Sequence, residues 1–67
     1  MGAIAERIMQ AMKTTGTTYV DLAKRTGVSK SALQRYATGE TEKIPLDRVE
    51  MIASALNVSP EYLLGWT

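Results

Sequence analysis

The glycines at positions 16, 27, 39 and 65 divide this chain into short segments. Before each glycine, apolar residues recur at three- and four-residue intervals, the spacing of one face of a helix. Glycine readily adopts the left-handed conformation that ends many helices. No segment shows the polar–apolar alternation of period two that is typical of a strand. The chain is therefore predicted to be all-α, a series of short helices joined by tight turns.

Five helices follow from this pattern, and capping residues locate their starts. Hydroxyl side chains that can cap a helix N-terminus stand before the second, third and fifth segments, at Thr18, Ser29 and Ser59. Proline suits the first position of a helix, and Pro60 stands there in the fifth. The predicted helices cover residues of about 3–14, 19–26, 30–37, 46–56 and 60–64.

Composition excludes several classes of function. The 67 residues are enough for one small domain, 1–67, and include neither cysteine nor histidine. Disulfides, thiolate metal sites and Ser/His or Cys/His catalytic pairs are thereby ruled out, and the glycines form no phosphate-binding loop. The N-terminus resembles neither a signal peptide nor a membrane span. We therefore expect a cytoplasmic protein that is not an enzyme and uses no cofactor, metal, membrane or small-molecule substrate.

Positive charge is concentrated in one part of the chain although the net charge is only +1. Residues 22–37 contain four basic residues and no acidic one, whereas residues 40–61 carry a net charge of −3. The basic residues of the first stretch are Lys24, Arg25, Lys30 and Arg35; the acidic residues of the second are Glu40, Glu42, Asp47, Glu50 and Glu61. This asymmetry predicts one basic and one acidic side, a distribution that can orient a domain on a polyanion.

The third predicted helix has two chemically distinct faces. At 100° per residue, one face carries Lys30, Ser31, Gln34 and Arg35, and the other is apolar. A polar helix face is most often simply solvated. These side chains are nevertheless the types that reach base edges in the major groove of DNA, which admits one α-helix. Free backbone N–H groups near Thr18 and Ser29, at helix N-termini, suit phosphate, and Lys24 and Lys43 add charge on the flanks.

The connection between the second and third helices supports the nucleic-acid interpretation. Ala23 permits a close helix crossing, Gly27 permits a sharp turn, and Val28 and Leu33 supply apolar contacts. This spacing predicts two helices that cross steeply about a short turn, a helix-turn-helix over about residues 18–37. Helix 30–37 would then enter the major groove.

The stretches "TTYVDLAKRTGVSKSALQRYATGE" and "IPLDRVEMIASALNVSPEYLLGW" resemble the Cro/CI-type (XRE family) helix-turn-helix domain of bacterial and phage repressors. The resemblance extends from about Ile4 to Trp66 and is closest to phage CI-like repressors. It implies a compact five-helix, lambda-repressor-like fold. It also implies base-reading roles for Lys30, Ser31, Gln34 and Arg35, and contacts to the DNA backbone from Thr18, Tyr19, Lys24, Ser29, Thr38 and Lys43.

The expected function is sequence-specific binding of double-stranded DNA by a transcriptional repressor of phage or prophage type, in the bacterial cytoplasm and associated with the nucleoid. Such domains usually bind pseudo-palindromic operators as two-fold homodimers. Two alternatives remain open from the sequence. One is the antitoxin of a toxin–antitoxin pair, and the other is a protein-interaction module on the same scaffold.

Overall fold

The computed structural model describes residues 3–41 and 43–65; Glu42 and Trp66 lie outside the described residues. All five predicted helices are present within one residue of their predicted bounds, and no strand occurs in the described ranges. The all-α prediction is confirmed. The helices are α1 (Ala3–Thr15), α2 (Tyr19–Thr26), α3 (Lys30–Thr38), α4 (Leu46–Leu56) and α5 (Pro60–Leu64).

The predicted capping residues occupy the helix ends. Thr18, Ser29 and Ser59 each accept a hydrogen bond from the backbone N–H three residues later, at 3.1, 3.2 and 3.1 Å. These bonds satisfy donors that a helix leaves unpaired in its first turn. The residue that caps the C-terminus of α4 is not predicted from the sequence. Asn57 fills that position with φ of +60°, a conformation that asparagine tolerates better than most residues.

The core takes side chains from all five helices. Helix α1 packs on α3 and α5, α2 packs on α3 and α4, and α4 also contacts α1 and α5. Because α3 contacts two different helices, its apolar face is enclosed and its direction is set by the whole bundle. The largest side chains with less than 2% exposure are Ile8, Leu22, Leu33, Val49, Ile52, Leu56 and Leu63.

Arginine side chains add polar links between helices at the edges of this core. Arg7 of α1 donates a hydrogen bond to the carbonyl of Tyr62 at 3.0 Å, and its guanidinium carbon lies 4.7 Å from the centroid of the Tyr62 ring. Arg48 of α4 donates to the hydroxyl of Tyr36 at 2.7 Å. Tyr36 is only 6% exposed, so this bond satisfies a polar atom at the rim of the core.

We expect Tyr36→Phe to lower the free energy of unfolding by about 1 kcal/mol, because Arg48 loses its acceptor while the ring remains packed. Urea denaturation at neutral pH measures this effect. Tyr62→Phe is the matched control, since it keeps the ring beneath Arg7. An equal loss of stability in both variants would contradict the structural importance of the Arg48–Tyr36 bond.

The turn between α2 and α3 depends on the backbone conformation of Gly27. This residue has φ of +76°, and its N–H donates to the carbonyl of Ala23 at 2.8 Å. A Cβ added to Gly27 would meet no atom within 4 Å. A side chain would therefore fit in space, and its cost would come from the left-handed backbone alone.

We expect Gly27→Ala to destabilise the fold by roughly 1–2 kcal/mol, the cost of a left-handed conformation in an ordinary residue. Gly27→Asn should cost less, because asparagine adopts this conformation more easily. Urea midpoints of the two variants and the unchanged protein provide the comparison. Alanine at least as stable as asparagine at this position would show that the turn rearranges.

Candidate nucleic-acid interface

Helix α3 presents a continuous polar face to solvent. The four residues predicted to read bases are all exposed, and the opposite face is buried against the rest of the bundle. The exposed set is Lys30, Ser31, Gln34 and Arg35; the buried set is Ala32, Leu33, Tyr36 and Ala37. Because the back of α3 is enclosed, the polar side chains project from a rigid support.

Part of this face forms a shallow depression of about 480 Å³, called here the α3 depression. It brings three of the predicted base-reading residues together with two of the predicted backbone contacts. Lys30 lies outside this lining, in the first turn of α3. The lining residues are Tyr19, Ser31, Gln34, Arg35, Thr38 and Glu40.

Thr18 and Ser29 keep a hydrogen-bond donor available to a ligand. Their hydroxyl oxygens act as acceptors in the caps of α2 and α3. A hydroxyl group has one donor and two acceptor positions, so the capping bond leaves its proton free. Both residues are exposed at helix N-termini, where backbone N–H groups also favour an anion.

Tyr19 and Thr38 differ from these two residues because their hydroxyl groups already donate. The Tyr19 hydroxyl donates to the sulfur of Met9 at 3.5 Å, and that of Thr38 donates to the carbonyl of Gln34 at 2.9 Å. Each can donate to a phosphate only after giving up its present bond. The sequence could not show that the Tyr19 hydroxyl is already bonded, because nothing in it indicates that Met9 of α1 lies beside the start of α2.

The basic residues of the predicted surface fall into two groups. Lys24 and Lys43 are exposed, as a contact to a DNA backbone requires. Arg25 instead donates to the carbonyl of Ala55 at 3.2 Å and so links α2 to the last turn of α4. That carbonyl is one of the four that a helix C-terminus leaves without an intrahelical partner.

Among the residues that line the α3 depression, Glu40 is the one that is not predicted from the sequence. The charge pattern groups Glu40 with the acidic stretch of residues 40–61, but the structure places it in the lining of the α3 depression with Arg35. Gly39 has φ of +81°, and the N–H of Glu40 donates to the carbonyl of Arg35 at 3.0 Å. This left-handed turn folds the chain back and places Glu40 on the surface of α3. Hence the division into basic and acidic sides is incomplete.

The described residues also bear on two other kinds of site. Within residues 3–41 and 43–65, no cluster of acidic side chains is arranged to hold a metal ion. Among the described helices, none is long and apolar enough to cross a membrane.

The sequence of this chain is similar to those of known DNA-binding regulators. Residues 7–67 match the pattern of the Cro/C1-type HTH DNA-binding domain. The chain is 36% identical over 62 residues to the uncharacterized HTH-type transcriptional regulator YobD of Bacillus subtilis (strain 168). That match covers 92% of this chain and 54% of YobD, so the chain spans about half the length of this relative.

Two solved structures share the fold at 31% sequence identity. In the SinR/SinI protein complex, a chain superimposes with a TM-score of 0.85, covering 91% of this chain and 59% of that one. The P22 c2 repressor in complex with synthetic operator 9T, in the presence of Tl⁺, gives a TM-score of 0.83 and 96% coverage of both chains.

The five-helix repressor fold is therefore shared with proteins of this type. With its helix-turn-helix formed by α2 and α3, the chain belongs to the family of Cro/C1-type HTH DNA-binding domains, a family of transcriptional regulators.

Proposed function

We propose that residues 1–67 act as one domain that binds double-stranded DNA sequence-specifically and represses transcription, as phage and prophage CI-like repressors do. The observation that carries this proposal is the exposed polar face of α3 on a fully enclosed apolar back. Any amphipathic surface helix has an enclosed apolar face. The DNA interpretation is favoured because the exposed face of α3, the second helix of a helix-turn-helix, carries the side-chain types that reach base edges.

In this proposal, α3 enters the major groove and its exposed side chains read base edges. Arg35 and Lys30 donate to guanine, Gln34 pairs with adenine through its amide, and Ser31 contacts either kind of base. The described part of α3 is nine residues long, or about 13 Å at the rise of an α-helix. An α-helix with its side chains is about 10–12 Å in diameter, so α3 matches the width of the major groove, about 12 Å.

Contacts to the sugar–phosphate backbone then set the position of α3. Thr18 and Ser29 have free hydroxyl protons, and Lys24 and Lys43 have exposed ammonium groups. Tyr19 and Thr38 belong to this set on condition that each exchanges its internal bond for a phosphate. Arg25 is better interpreted as a structural link than as a phosphate contact, because it is bonded to α4.

We further propose a homodimer on a pseudo-palindromic operator, in the bacterial cytoplasm and associated with the nucleoid. The P22 c2 repressor, which shares the fold, was solved with a synthetic operator. Two-fold related half-sites about one helical turn apart are the arrangement that such repressors commonly use. The operator sequence has to be found by experiment.

Selection of bound sequences from a pool of random duplexes, at two salt concentrations, tests the whole proposal. The expected result is one enriched sequence with two inverted half-sites and weaker retention at higher salt. Enrichment of a single half-site would reject the dimer. Absence of any salt-dependent binding would reject DNA binding itself and favour a protein-interaction module. In a separate pull-down, recovery of a tightly bound toxin would favour the antitoxin.

Arg35→Ala is expected to cost roughly 1–3 kcal/mol of binding free energy on the selected operator and to relax the preference at one base pair. Arg35→Lys is the matched control, since it keeps the charge but loses the two-pronged geometry. It should retain affinity for random duplex and lose preference at that base pair. Equal losses on operator and random duplex in Arg35→Ala would argue against base reading.

Lys43→Ala should weaken binding to all duplexes alike, because a phosphate contact carries no sequence information. The slope of log affinity against log salt concentration should become shallower by about one unit. Titrations at four or more salt concentrations measure the slope, and Lys43→Arg should restore it. An unchanged slope in Lys43→Ala would remove this residue from the set of backbone contacts.

A further inference from the structure

We infer that Glu40 is a positioning residue for Arg35, which it holds toward base edges and away from phosphates. This inference rests on the proposed function and deepens it. Glu40 is exposed and lines the α3 depression together with Arg35, Ser31 and Gln34. An acidic side chain there is unexpected, since a carboxylate repels the phosphates of DNA.

The backbone brings the two residues next to each other at the end of α3. Helix α3 ends at Thr38, Gly39 takes the left-handed conformation, and the N–H of Glu40 donates to the Arg35 carbonyl at 3.0 Å. This is the Schellman motif, in which the residue after the glycine and the residue whose carbonyl it bonds usually make a hydrophobic contact. Here those two positions hold a carboxylate and a guanidinium.

The chemistry of arginine explains what the pairing can do. A guanidinium has five N–H donors in one plane, and two of them suffice for a bidentate bond to guanine. No ion pair involving Arg35 or Glu40 is present among the residues that the structure describes. The guanidinium is therefore available to a base, and its remaining donors can bond to the nearby carboxylate once Arg35 extends into the groove.

The same carboxylate disfavours the competing arrangement. On a generic duplex, Arg35 gains most by turning to a phosphate, because non-specific binding is almost entirely electrostatic. Glu40 attracts Arg35 back to the α3 depression and repels a phosphate that approaches it. Glu40 thus raises selectivity both by supporting the contact to a base and by weakening the alternative.

Glu40→Gln tests this inference by selection from random duplexes, with base preferences read at every position of the bound sequence. We expect preference to fall about fivefold or more at the base pair that Arg35→Ala affects, the change that corresponds to the weakest bidentate contact. Affinity for the unselected random pool should rise at the same time. Glu40→Asp, which keeps the charge, should restore most of the preference.

A double variant separates positioning from a general effect of charge. In the Arg35→Ala background, Glu40→Gln should leave the base preferences unchanged, because the residue through which it acts is absent. Glu50→Gln on α4 is the control for loss of an exposed acidic residue outside the α3 depression, and should change nothing. Urea midpoints confirm that all the variants are folded.

Three outcomes would overturn the inference. Base preferences in Glu40→Gln identical to those of the unchanged protein would reject positioning and leave the proposed function intact. Tighter binding to every sequence by one common factor would show that Glu40 acts by charge alone. Failure of the unchanged protein to enrich any sequence would reject the proposed function itself, and this inference with it.

Discussion

The enclosure of α3 by α1 and α2 is the constraint on which the rest of the structure depends. Leu33 is 1% exposed, and full burial of a leucine side chain contributes about 1.5–3 kcal/mol relative to exposure in water. A rotation of α3 about its axis would expose this residue and bury cations without partners, at a large cost. The direction of the polar face is therefore set by the apolar side chains behind it.

The cations of the chain serve two different purposes, and the structure separates them. Arg7, Arg25 and Arg48 donate to carbonyl or hydroxyl oxygens of other helices, so they help to hold the bundle together. Arg35 and the exposed lysines have no such link within the described residues, so their donors face solvent. The bonded arginines keep their charge, so a count of basic residues along the sequence overstates only the number of cationic side chains whose donors are all available to a ligand. For binding to a polyanion, the important cations are those whose N–H groups make no hydrogen bond within the folded protein.

The α3 depression combines attraction and repulsion in one small surface. In the proposed complex, Arg35 attracts phosphates and the acceptor atoms of bases alike, whereas Glu40 repels the charged phosphates. A surface made of cations alone would bind any duplex, because counterion release is indifferent to sequence. One acidic residue beside one arginine lowers general affinity while leaving hydrogen bonds to bases available. In this view, the left-handed turn at Gly39 contributes to selectivity as well as to the end of a helix.

Helix type, helix bounds to within one residue and the N-terminal caps were decided by the sequence alone, because they depend on local interactions over three or four residues. Thr18 and Ser29 cap helices with their hydroxyl oxygens, and Gly27 takes the left-handed conformation because it has no Cβ. The two faces of α3 follow from its 100° periodicity. Only the tertiary structure could decide which cations are linked to other helices. Glu40 lies next to Arg35 through the local turn at Gly39, whereas Arg25 and Arg48 find their acceptors on other helices, 30 and 12 positions away. Such contacts leave no periodic signal, since they depend on how the helices pack and not on the spacing of residues within them.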